Sequence, residues 1–70
     1  MKRTLYELSV GESGQMIGFA DKNTEHTLRN FGLFIGRNAT CIAKIGPIVV
    51  RSDLVVIALG KTLALRVYIK

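Results

Sequence analysis

The chain has 70 residues, of which 49% are hydrophobic, and a formal net charge of +5. This length limits it to one domain, residues 1–70, and no apolar run approaches the about 18 residues that a membrane-spanning helix needs. Its lone cysteine, Cys41, excludes an internal disulfide and favours a reducing, cytoplasmic setting. Because so small a core cannot hide every apolar side chain, we expect some to stay exposed, as in an interaction module or an oligomer.

The charges are distributed unevenly along the chain. Residues 1–25 hold three basic and four acidic side chains, whereas residues 26–70 hold seven basic side chains against Asp53 alone. This asymmetry fits an acidic protein partner, nucleic acid or anionic lipid, and it also fits a simple role in keeping an apolar domain soluble.

The first part of the chain predicts a short plug and a strand. Leu5 and Leu8 are three residues apart, which suits a single helical or 3₁₀ turn closing the end of a barrel. Residues 15–19 have the composition of a first strand, and Gly18 within them indicates a bulge or a close approach of two backbones.

A short helix is expected next. Asn23 or Thr24 is a suitable N-cap, and Glu25 lies where an acidic side chain favours the positive end of the helix. The helix would run to about Phe31, and at two turns it needs to dock on the sheet through Leu28 and Phe31.

An apolar segment that we name the elbow, residues 31–36, follows the helix. Gly32 stands where a left-handed helix cap is favoured, and Gly36 permits a second sharp turn. Leu33, Phe34 and Ile35 are consecutive, so one strand or turn cannot hide all of them on one side. Either all three belong to the core, or at least one, Phe34 in our interpretation, stays exposed as an anchor for a partner.

The remaining chain predicts four more strands and a helical turn, which together give a mainly β fold. We expect a small, SH3-like, five-stranded, partly open β-barrel with one or two short inserted helices. The apolar third and fourth strands are expected to be covered on both faces over part of their length. The strands are residues 38–44, 48–51, 54–59 and 67–69, with a hairpin turn at 52–53 and a helical turn within 61–66.

The sequence offers little chemistry. His26 is the only histidine, and no spacing typical of a zinc site, a catalytic triad or a phosphate-binding loop is present. We therefore expect no enzyme activity, no cofactor and no dedicated metal site. His26 and Glu25 are the candidate ligands if a metal binds.

Nucleic-acid binding is the alternative for a small basic barrel. Such sites usually place stacking aromatic side chains and basic side chains on one face. Here most aromatic residues fall at positions typical of a core, and the basic residues occur singly. We therefore do not expect nucleic acid to be the partner.

The order of these motifs resembles the FeoA-domain family over nearly the whole chain. The family has two leucines and a glycine turn before its first strand, a helix that ends in a leucine-glycine-leucine elbow, and a Gly-Pro before two strands. Family members usually carry Arg and Pro where this chain has Thr27 and Ile35. The matching residues are Leu5, Leu8, Gly11, Gly14, Ile17, Leu28, Phe31, Gly32, Leu33, Gly36, Gly46, Pro47, residues 57–61 and residues 63–69.

The resemblance implies an SH3-like barrel and an accessory role in bacterial ferrous iron transport. It implies a cytoplasmic protein that docks on the GTPase region of the membrane iron permease and so associates peripherally with the inner membrane. Iron-dependent repressors carry a related domain, which makes a metal-linked regulatory module the near alternative. Weak self-association is also left open.

The expected docking surface combines the family pattern with the apolar surplus of the elbow. Leu28, Arg29, Leu33 and Phe34 are the predicted contact residues. Arg37 and Lys61 are predicted to lie nearby as steering charges.

Overall fold

The computed structural model describes residues 3–70, which form six strands and two helices. In chain order these elements are β1 Arg3–Thr4, β2 Ser13–Phe19, α1 Lys22–Asn30, β3 Asn38–Lys44, β4 Ile48–Ser52, β5 Val55–Leu59, α2 Lys61–Ala64 and β6 Val67–Ile69. Antiparallel pairing joins the strands in one sheet, in the order β1-β6-β2-β3-β4-β5, which does not close on itself. The mainly β, partly open architecture is thus confirmed, with a two-residue β1 added to the predicted five strands.

The predicted 3₁₀ turn is confirmed, with both of its leucines in the core. Leu5–Glu7 form a 3₁₀ turn that follows β1, and Leu5 and Leu8 are fully buried. The backbone N–H of Thr4 donates to the Glu7 carboxylate over 3.2 Å, which holds the turn at its start. The two leucines therefore belong to the core cluster that the curved sheet encloses.

Strand β2 carries the predicted irregularity. Its pairing with β6 shifts register between Met16 and Gly18, which confirms the expected bulge. The strand also begins earlier than predicted, at Ser13, because its first residues pair with β3. A Cβ on Gly14 would lie 2.8 Å from the Ile69 side chain, so β2 and β6 approach closely there.

The N-cap of helix α1 lies two residues before Asn23 and three before Thr24, the two predicted caps. Asp21 is the N-cap, and its carboxylate accepts a 2.7 Å hydrogen bond from the Thr24 backbone N–H. This bond is the main cause that holds the pKa of Asp21 below its ordinary value. Thr24, which we had considered as a cap, is instead buried at the first turn.

The end of α1 corrects the prediction that Phe31 docks on the sheet. Gly32 has φ +95° and its N–H donates to the Arg29 carbonyl, while the Leu33 N–H donates to the Leu28 carbonyl. This is a Schellman cap, in which the residue after the glycine folds back on the last helical turn. Leu33 therefore takes the buried place beside Leu28, and Phe31 is 51% exposed.

The hairpin between β4 and β5 also differs from expectation. Its two-residue loop is Asp53 and Leu54, one position later than predicted, because Ser52 pairs with Val55 in the ladder. The expected coverage of both faces is wrong for β5. Leu54 is fully exposed and Val56 is 57% exposed, since β5 hydrogen-bonds in the sheet to β4 alone and its outward side chains meet no other layer.

Candidate partner-binding surface

The elbow is held in place by backbone bonds to β2. The N–H of Gly36 donates to the Met16 carbonyl over 2.8 Å, and the Met16 N–H donates to the Arg37 carbonyl over 2.9 Å. Between these bonds and the Schellman cap, Phe31 and Ile35 project with 51% and 52% of their surfaces exposed. The elbow thus presents apolar side chains on a fixed backbone, so a partner would not need to order it.

Phe34 lies beside two guanidinium groups. Its ring is half-buried, and the ring centroid is 4.8 Å from Cζ of Arg37 and 5.9 Å from Cζ of Arg29. Both distances are within the range of a cation–π interaction. The elbow therefore combines an aromatic ring with positive charge at one point of the surface.

Arg37 is also tied to the β4–β5 hairpin. One of its guanidinium nitrogens lies 2.8 Å from a carboxylate oxygen of Asp53. The side chains of Arg37 and Asp53 are 50% and 67% solvent-exposed, so this ion pair adds little to stability. Its consequence is orientation, because Asp53 holds the guanidinium group near the Phe34 ring.

Two predicted contact residues, Leu28 and Leu33, are not part of this surface. Both are fully buried in the core, which corrects the prediction that they contact a partner. The cause is the Schellman cap, which packs a residue of the last helical turn, Leu28, against the residue after the glycine, Leu33. The surface retains Arg29, Phe34 and Arg37 from the predicted set.

Lys61 does not lie where the sequence interpretation put it. Its ammonium nitrogen is 5.7 Å from the Tyr6 ring centroid, where Lys44 also lies at 4.6 Å. Lys61 follows the end of β5, whereas the hairpin that binds Arg37 precedes its start. The length of the strand from Val55 to Leu59, about 13 Å, lies between them. Lys61 is therefore not a neighbour of the elbow, and only its long-range field remains as a predicted contribution.

Comparison with models of protein families identifies the family of this chain. The profile of the FeoA domain matches residues 3–70. This chain belongs to the FeoA domain family. No match was found among curated proteins.

Solved structures of FeoA proteins share the fold. An iron uptake regulatory protein (FeoA) is 30% identical, with a TM-score of 0.89 over 100% of this chain and 96% of its own. The zinc complex of Stenotrophomonas maltophilia FeoA, described as a procaryotic SH3 domain protein, is 25% identical, with a TM-score of 0.86 over 97% and 89% of the two chains. The fold of this FeoA-domain chain is therefore SH3-like, as predicted.

A manganese-dependent transcriptional repressor has the same fold within a longer chain. It is 20% identical, and the matching region covers 97% of this chain but 40% of the repressor, with a TM-score of 0.85. At this identity the likeness concerns the fold alone.

The candidate metal ligands of this FeoA-domain chain lie on α1. His26 is exposed and Glu25 is half-buried, and both line a shallow depression together with Lys22, Asn23 and Arg29. A cation placed there would meet the positive charges of Lys22 and Arg29, which oppose its binding. Within residues 3–70, no three His, Cys, Asp or Glu side chains come together as a possible metal site.

Sequence reasoning missed two exposed members of the surface, Phe31 and Ile35. Phe31 fits the helical spacing of a core position, so the pattern alone favoured burial. The usable signal was Gly32, because a Schellman cap predicts burial of the residue after the glycine rather than the one before it.

Neither helix in the described range 3–70 has the length and apolar character to cross a membrane.

Proposed function

We propose that this chain is a non-catalytic accessory protein of ferrous iron transport, which docks on the cytoplasmic GTPase region of a membrane iron permease. Membership of the FeoA domain family supports this proposal. So do two relatives: the first is described as an iron uptake regulatory protein, and a role as a ferrous iron transport activating factor has been suggested for the second, from S. maltophilia.

The observation that carries the docking proposal is the Phe34 ring beside Arg29 and Arg37. A few residues dominate the binding energy of a typical protein interface, and aromatic and arginine side chains are enriched among them. Here they stand together on a backbone that is already fixed, with Phe31 and Ile35 exposed beside them. This arrangement suits a partner surface that offers an apolar hollow with carboxylates at its rim.

In this proposal each side chain has a distinct role. Phe34 fills the apolar hollow, and Arg29 and Arg37 pair with the carboxylates at its rim. Asp53 orients the Arg37 guanidinium group in the free protein. In the complex, Arg37 pairs with a carboxylate of the partner, either in place of Asp53 or together with it. The chain itself performs no chemical step and acts by binding.

A titration of isotope-labelled protein with the isolated GTPase domain tests this proposal. We expect amide shifts to concentrate on residues 29–37 and on Asp53, because these residues form one connected surface. The substitution F34D should raise the dissociation constant at least about thirtyfold, as expected for loss of a central aromatic anchor.

The matched control is I45D, since Ile45 is 80% exposed in the turn between β3 and β4. This variant makes the same exchange of an apolar side chain for a carboxylate away from the elbow, and it should bind as the unmodified protein does. Circular dichroism checks the fold of both variants. Binding that survives F34D, or that is lost equally in I45D, would show that the elbow is not the interface.

A further inference from the structure

We propose that a second copy of this chain adds to the open edge of the sheet, by antiparallel pairing of β5 with β5 about a two-fold axis at Ile57. This self-association is separate from the proposed transport role and uses the edge of β5 rather than the elbow, although Asp53 contributes to both surfaces. It follows from the position of β5, from its composition and from the charges at its two ends.

Strand β5 lies at one end of the strand order and pairs with β4 alone. In a two-residue hairpin the residues that flank the loop, here Ser52 and Val55, exchange hydrogen bonds, and bonded pairs then alternate along the ladder. Val56 and Ala58 therefore direct their N–H and C=O groups away from β4. Among residues 3–70, neither residue takes part in a hydrogen bond outside the β4–β5 ladder.

The edge has none of the usual protection against pairing. Natural sheets protect an open edge with lysine, proline or a bulge, or cover it with another segment. Val55–Leu59 contains no charged residue and no proline, and its pairing with β4 runs without a shift in register. Gly32 of the elbow approaches Val55, the first residue of the strand, and Val56 and Ala58 remain exposed.

A second copy fits this edge better than an arbitrary strand because the bonding pattern is symmetric. With the axis at Ile57, Val56 of each copy lies opposite Ala58 of the other, and these are the residues with outward N–H and C=O groups. Each such pair exchanges two hydrogen bonds. The exposed Val56 and Ala58 side chains then lie on one continuous outer face of the joined sheets.

The charges that flank β5 are complementary under the same symmetry. Asp53 and Lys61 each stand four positions from Ile57, on opposite sides of it. Antiparallel pairing therefore brings Asp53 of each copy toward Lys61 of the other, and no like charges meet along the strand. A parallel arrangement would instead bring Asp53 toward Asp53 and Lys61 toward Lys61.

Sedimentation velocity of the full chain from low micromolar to millimolar concentration tests self-association, and amide hydrogen exchange tests its location. We expect a reversible monomer–dimer equilibrium. The Val56 and Ala58 amides should become protected as concentration rises, whereas the amides of Val55 and Ile57, bonded to β4, should be protected at every concentration. A chain that stays monomeric at millimolar concentration would overturn the proposal.

The variant A58P removes the N–H that bonds to the second copy while sparing the bonds to β4. It should raise the dimer dissociation constant at least about tenfold, because each dimer loses two hydrogen bonds. The matched control A58S keeps the N–H and should dimerise as before. K61E adds a carboxylate opposite Asp53 of the second copy, so it should also weaken the dimer without touching the edge backbone. A dimer that survives both A58P and K61E would place the contact elsewhere and overturn the proposal.

Discussion

Gly32 and Gly36 have the same backbone conformation in different surroundings. Both have φ +95°, in the left-handed region that favours glycine. A Cβ on Gly32 would lie 2.8 Å from Cγ2 of Val55, whereas a Cβ on Gly36 would meet nothing within 4 Å. The sequence was sufficient to predict both turns, because glycine after a helix or before a strand is a local signal of a turn. It did not show the contact with Val55, which depends on how the chain folds back.

Alanine substitutions separate these two effects. We expect G36A to lower the free energy of unfolding by about 1–2 kcal/mol, the cost of the left-handed conformation alone. G32A should cost about 1–3 kcal/mol more, because its methyl group overlaps the Val55 side chain. Urea unfolding measures both changes.

The second substitution V55A serves as the control for this contact. It should recover part of the loss in G32A and none of the loss in G36A, since only Gly32 touches Val55. Equal costs for the two alanine variants would contradict the close approach of the elbow to β5.

Among the elements, α1 shows how far a local pattern extends. The pattern predicted the helix and its buried Leu28, but it placed the N-cap at Asn23 or Thr24 rather than at Asp21. The three polar residues are all acceptable caps, so propensity alone could not choose among them. Tertiary packing decides, because burial of Thr24 at the first turn requires the helix to begin earlier.

The Asp21 cap gives α1 a pH dependence of known sign. Its pKa is lowered in the folded protein, chiefly by the hydrogen bond from Thr24. The carboxylate therefore adds stability that is fully present above the pKa of an unfolded aspartate, about 3.9, and that is lost as pH falls through the lower folded value. We expect the stability advantage of the unmodified protein over D21S to be larger at pH 7 than at pH 3.

Serine is the matched control here because it caps a helix without titrating. Urea unfolding of both proteins at a series of pH values gives the difference, in which the other ionisable groups cancel. A difference that stays constant down to pH 3 would contradict the role assigned to the Asp21 carboxylate.

Over the whole molecule, the sequence predicted the class of fold but not which apolar residues stay outside. The strands β3 and β6 were predicted with their observed bounds, since glycine turns mark β3 and β6 follows the predicted helical turn. The exposure of Val56 and Phe31 was not predicted, because it depends on which strand is last in the sheet and on the geometry of a helix cap. The spacing of apolar residues shows on which side of a helix or strand a side chain lies, but it does not show whether another element covers that side.

The net charge of +5 is a property of the whole molecule, and we expect it to raise the rate of association with the partner. A basic protein is attracted by an acidic partner over long distances, and salt screens this attraction. We expect K70E, at an exposed position outside the elbow, to slow association with the GTPase domain and to leave the dissociation rate unchanged.

Stopped-flow association at 50 and 500 mM salt measures this effect, and the two proteins should converge at the higher concentration. The matched control K70Q removes the charge without reversing it and should give an intermediate rate. An association rate independent of salt would show that the charge asymmetry serves another purpose.

The contact between Gly32 and Val55 links the elbow to the open edge of the sheet. A macromolecule that moved the elbow backbone at Gly32 toward β5 would also press on Val55, and it would then be an effector of a second copy bound at that edge. Thermodynamic reciprocity then requires the edge to alter affinity at the elbow by the same factor. A chain of 70 residues would in this way hold two communicating sites, with a single methyl group as the transmitter.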